Sequence, residues 1–166
     1  MSGADDRAQS DDERWIVVDG RRWRRSDPAI PEALRSELVH ELMAARRAVA
    51  AASDDEATAR ARARVQNAKV ALGERGEPWW EATDEGTRGR LEAAVLALAA
   101  HRDPKTTCPS DAARAVAGTA WRRWMPAARE VAAELADRGL IEMLQRGKTV
   151  PAGQRGPIRL RWRHTR

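Results

Sequence analysis

Apolar positions recur at helical spacing in two blocks separated by polar ground. In the first block Leu34, Leu38, Leu42, Ala45 and Val49 advance in steps of three and four, the inward stripe of an amphipathic helix. Pro31 suits the first helical position, where its missing N–H costs nothing, and the stripe predicts a helix to about Ala52. Ser53-Asp54-Asp55-Glu56 has the order of a capping box, so a second helix is expected from there. Its stripe is Ala61, Val65, Ala68 and Leu72, and it should end near Gly73 and Gly76. So short a joint folds the two helices back antiparallel. Alanine dominates their seam, which lets backbones approach but buries little apolar area per residue. Something must cover it: the flanking strands and "EPWW" at 77–80, the second block, or another protein chain.

Upstream, "RWIVVDGRRWRR" sets Asp19-Gly20 between a β-branched run and a segment alternating Arg with Trp23. That pair favours the positive φ angles of a tight turn, so a two-stranded hairpin is expected. A lone hairpin is marginal, and Trp15 and Trp23 should rest on a neighbour. Residues 1–12 show no apolar periodicity and are expected as a disordered tail. The polar stretch 81–89 is expected as a linker, dividing a lobe at 13–80 from one at 90–166.

The second block opens with the apolar helix "RLEAAVLALAAHR". Pro109-Ser110-Asp111 should start a short helix with Ser110 as its cap, and Gly118 should stop it. Trp121, Trp124, Ala128, Val131 and Leu135 mark a longer helix ending at Arg138-Gly139. Proline clashes in a helix interior, so regular helix should begin at Pro126, with Trp121 to Met125 as a preceding turn. "LIEMLQRGKTV" and "GPIRLRWR" read as β segments. The fold class expected is mainly α with small β elements.

Helix, short helix, turn, longer helix and β-ribbon is the order of a winged helix-turn-helix. The spans "CPSDAARAVAG", "WRRWMPAAREVAAELADRGLIEMLQRGKTV" and "GPIRL" resemble an uncharacterised bacterial winged-helix family, a domain of unknown function, over roughly residues 90–162. The resemblance implies the fold and brings no activity. The first lobe, "RWIVVDGRRWRRSDPAIPEALRSELVHELMAARRAV" with "ARVQNAKVALGERGEPWW", is similar to the N-terminal part of bacterial proteins labelled biopolymer transporter Tol. That likeness implies relatives rather than a role. No apolar run approaches the roughly 20 residues of a membrane span, and "MSGADDRAQSDDER" is acidic and polar, unlike an export signal. A soluble cytoplasmic protein is expected, and the lone Cys108 fits a reducing interior.

Charge divides the chain as the periodicity does. Residues 1–80 carry 14 of the 30 Lys and Arg and 15 of the 25 Asp and Glu, which leaves 16 against 10 beyond them. From Ile141 onward there are seven basic residues and one acid, Glu142, an imbalance suited to a polyanion. Arg outnumbers Lys 27 to 3, which a coding bias explains as readily as chemistry. In a winged helix the second helix of the pair enters the major groove by its N-terminal residues. Here that helix is 121–138. Its tryptophans should anchor it, while Arg122, Pro126, Arg129 and Ala133 should point away from the core. Arg122, Arg123 and Arg129 would then contact bases or phosphates, with Arg146, Lys148 and Arg155 of the wing on the flanking backbone. Alternatively Arg123 pairs with Glu130 or Glu92.

Catalytic motifs fail on inspection. "HELMA" at His40 has Ala44 where a zinc-protease motif needs a second histidine, and "GKT" at 147–149 has Glu142 where a phosphate loop needs glycine. His101 and Cys108 lack a third, orienting group and read as a helix-end histidine and a buried thiol. The expectation is a non-enzymatic protein without cofactor or metal, binding double-stranded DNA first and structured RNA second. The competing expectation is an adaptor that binds a protein or itself through residues 31–80, with the winged helix as a structural or dimerisation module and Trp79 and Trp80 as interface anchors or as lids on a core.

Overall fold

The computed structural model describes residues 13–164; the tail expected at 1–12 lies outside them. The fold is mainly helical with small antiparallel strand elements. Strands β1 (Trp15–Val18) and β2 (Arg21–Arg24) form the expected hairpin. Asp19 and Gly20 hold φ of 51° and 75°, the left-handed pair a two-residue turn requires. Trp80 meets Trp15 edge-on at 5.7 Å and Trp79 at 5.1 Å, while Trp79 Nε1 donates to the Arg25 carbonyl at 3.1 Å. The adjacent tryptophans therefore seat the hairpin.

Helices α1 (Glu32–Ala51) and α2 (Asp55–Ala71) pack as the antiparallel pair. The cap of α2 is Asp54, not Ser53: its carboxylate accepts from the Ala57 N–H at 2.7 Å, relieving a donor that has no partner within the helix. Across the seam the buried Glu41 carboxylate takes both arms of Arg64, at 2.8 and 3.1 Å.

The stretch 81–89 is not a linker. Helix α3 runs Asp84–Arg102, and Thr83 caps it by accepting from the Gly86 N–H at 3.0 Å. A threonine cap followed by Asp84 and Glu85 is a helix start, and its polar composition reflects only the exposed first turn. From Leu91 to Ala99 all residues but Glu92 are buried, as befits a helix packed on every side. It lies against α1 and α2 on one flank and the C-terminal helices on the other, in one hydrophobic cluster. This helix covers Leu38, Leu42, Ala68 and Leu72 of the seam. The joint is pinned by a buried ion pair: Arg90 donates to Asp27 at 2.9 Å and to the Ala71 carbonyl at 3.1 Å.

Beyond α3 come β3 (Thr106–Thr107), α4 (Pro109–Ala117), a 3-10 segment (Gly118–Trp124), α5 (Met125–Asp137), β4 (Ile141–Gln145), β5 (Lys148–Thr149) and β6 (Arg159–Trp162). The strands form an antiparallel sheet ordered β3-β6-β4-β5. Cys108 rather than Ser110 is the N-cap of α4, since Pro109 takes the first helical position and the Asp111 carboxylate accepts from the Cys108 N–H at 3.2 Å. Gly118, at φ 52°, ends that helix.

Candidate nucleic-acid interface

Regular helix begins at Met125 with Pro126 in its first turn, so Arg122 and Arg123 stand in the tight turn that feeds α5. Ala128, Val131 and Leu135 are buried, as the stripe predicts. Trp121 and Trp124 are only partly buried against the core, and their outer faces carry cations. The Arg122 guanidinium lies 4.6 Å from the centre of the Trp121 ring and Arg114 lies 4.5 Å from it, while Arg123 sits 6.0 Å over Trp124. A flat guanidinium on an indole is held in place yet keeps its N–H edges free for an anion. Arg114, on α4, is a residue that sequence reading missed, because nothing in the spacing shows that α4 returns it to the same indole.

Arg129 does not project freely outward. It is half-buried, and one arm donates to the Gln154 carbonyl at 2.8 Å. The cause is the loop between β5 and β6, which folds back along α5. Gln154 donates to the Gln145 side-chain oxygen at 3.1 Å, and Gln145 donates to the Arg155 carbonyl at 2.8 Å. Gly156 allows this approach: φ is +88°, and a Cβ there would lie 3.0 Å from the Gln145 amide nitrogen. Ala133 likewise packs against the core, so the outward face of α5 is narrower than its helical wheel implies.

This network brings Arg129 and Arg155 to the end of β4. There Arg146 and Gly147, at φ 50° and 77°, make a two-residue turn, with Gln145 paired to Lys148. Two groups of cations result: Arg114, Arg122 and Arg123 around the tryptophans, and Arg129, Arg146, Lys148 and Arg155 around Gln145 and Gln154. Helix α5 follows directly on the first group and carries Arg129 of the second in its second turn.

Four of the nearby acids are engaged elsewhere, while Asp137 in the last turn of α5 is exposed and takes no such partner among the described residues. Arg88 binds both Glu130 and Glu134, and those two hydrogen bonds hold its guanidinium above its usual pKa. Arg138 binds Glu92 at 2.9 Å, and Arg161 clasps Glu142 at 2.6 and 3.0 Å. Arg123 therefore takes neither Glu130 nor Glu92. Among the described residues, none of Arg122, Arg123, Arg129, Arg146, Lys148 and Arg155 is ion-paired.

The remaining candidates fall elsewhere. His101 stacks on His40 at 6.0 Å and Cys108 is half-buried. Among the described residues no cluster of metal-ligating side chains is found and no helix is long and apolar enough to cross a membrane.

Residues 88–163 match the family described as "protein of unknown function (DUF3253)". A DUF3253 domain thus occupies the C-terminal part of the chain. It holds both cation groups and begins inside α3, so the β-hairpin, α1 and α2 precede it. Comparison with curated proteins found no match.

Proposed function

We propose that the DUF3253 domain is a winged helix-turn-helix that binds double-stranded DNA without catalysing a reaction. Helices α3, α4 and α5 would form the three-helix core, α5 the recognition helix, and β4 to β6 the wing. The observation that carries this reading is the segregation of charge. The acids Glu130, Glu134 and Glu142 are neutralised by arginines from outside the six-residue set. The six cations stay without carboxylate partners at the mouth of α5 and along the ribbon.

In this reading Arg122 and Arg123 lead into the major groove, where guanidinium groups make bidentate contacts to guanine or pair with phosphate. Arg146, Lys148 and Arg155 would track the flanking backbone and set register. Arg129 contributes charge while its bond to the Gln154 carbonyl holds the loop. The test is fluorescence anisotropy with a random-sequence duplex. Arg122→Glu combined with Arg123→Glu should lower affinity by roughly a hundredfold, since each reversal removes a contact and adds a repulsion. Unchanged affinity in a folded double variant would remove this helix from the interface.

A further inference from the structure

The first lobe carries a site of a different kind. Between the β-hairpin and helices α1 and α2 lies a groove of about 1430 Å³. Among the described residues, four of the five exposed large hydrophobic ones line it: Ile16, Val18, Trp23 and Met43, which are 37–50 % exposed. Its rim is basic, holding Arg21, Arg35, Arg46, Lys69 and Arg75 among seven cations, against three acids. Two of those acids are engaged, Glu32 with Arg35 and Glu74 with the Ser26 hydroxyl. A second hollow shares Arg46 and Arg75 and continues along the helices over Val49, Ala63 and Val65, adding Arg62 and no carboxylate. Burial, then the neighbouring Arg75 and Arg46, push the Lys69 ammonium below its ordinary pKa, so its cationic form is held against repulsion.

We propose that this trough docks an acidic amphipathic segment of a partner protein, with its apolar side chains on the Ile16, Val18 and Met43 floor and its carboxylates on Arg46, Lys69 and Arg75. Charge complementarity selects this occupant. A second copy of the chain would bring a groove of the same sign. A nucleic acid would find aliphatic side chains where it needs stacking platforms, and the Trp23 ring already carries Arg21 at 4.4 Å and Lys69 at 5.5 Å. An exposed apolar strip rimmed by charge is the usual mark of a docking surface. The site is independent of the duplex-binding reading.

The experiment uses the full chain and a fluorescein-labelled helical peptide of about 14 residues built from leucine and glutamate, read by anisotropy. Controls are the same peptide with lysine for glutamate, polyglutamate of equal length, and single-stranded oligothymidylate of about 15 nucleotides. The leucine–glutamate peptide should bind saturably and the lysine version should not. Polyglutamate should bind roughly tenfold more weakly, as should the leucine–glutamate peptide to Arg46→Glu/Lys69→Glu and to Met43→Glu. Duplex affinity and thermal unfolding of those variants should not fall, which separates this site from the C-terminal one and from misfolding. The proposal is overturned if the leucine–glutamate peptide fails to bind, if polyglutamate equals it, if folded variants bind it unchanged, or if oligothymidylate binds more tightly and is lost in the same variants.

Discussion

Replacing Arg90 by methionine keeps most of the side-chain volume but removes the charge that joins the two halves of the chain. Both side chains of the Asp27–Arg90 pair are 8 % exposed, and the guanidinium also serves the Ala71 carbonyl. Methionine would leave the Asp27 carboxylate buried without its cation and the carbonyl without its donor. Removing one partner of a buried pair costs about 3–5 kcal/mol. For a domain of this size each kcal/mol lowers Tm by about 2–4 °C, so a fall of roughly 6–20 °C is expected. Asp27→Asn should cost a similar amount by stranding Arg90. The double variant should recover part of the loss, leaving a non-additive coupling of about 0.5–3 kcal/mol. Far-UV circular dichroism and urea denaturation measure both. Because the core is continuous from α1 to β6, wild type and variants should each unfold in one transition. A Tm loss under about 2 °C, or two resolved transitions, would refute an electrostatic pin between halves that fold as one body.

Two further outcomes follow from particular side chains. Asp54→Ala should cost about 0.5–2 kcal/mol in urea denaturation and Ser53→Ala almost nothing, because the Asp54 carboxylate makes the helix cap. Lys69→Gln should raise Tm. Its pKa is lowered by burial and then by Arg75 and Arg46, so the folded state disfavours its charge; wild-type stability should accordingly climb as alkaline pH rises from the lowered folded value towards the ordinary lysine value, and the variant should lose that climb.

Elements with a strong period were legible from residues alone. The Leu34-to-Val49 stripe marked α1 to within a residue of its observed ends, and Asp19-Gly20 marked the hairpin turn, because both signals are local. The caps of α2 and α4 were displaced by one and two residues. Serine, aspartate and cysteine compete for the same backbone donors, and tertiary position selects among them. The polar stretch 81–89 concealed the start of the central helix, whose first turn is exposed and whose partner, Asp27, is distant in sequence.

The candidate interface was legible in composition and not in geometry. Arg122 and Arg123 could be placed at the mouth of α5 from Pro126, yet spacing gave no sign that Arg114 shares the Trp121 ring. Nor could it show that the β5–β6 loop returns to hold Arg129 through Gln154. The partners of Glu130 and Glu134 were equally hidden, since Arg88 meets them only through the packing of α3 on α5.

The most direct measurement of duplex binding is the slope of log affinity against log salt. If all six cations neutralise phosphates, counterion release predicts a slope of about −5, a loss near a thousandfold between about 50 and 200 mM salt, and a slope shallower by about 2 in Arg122→Glu/Arg123→Glu. A slope near zero, or one unchanged in that variant, would contradict the proposed duplex interface.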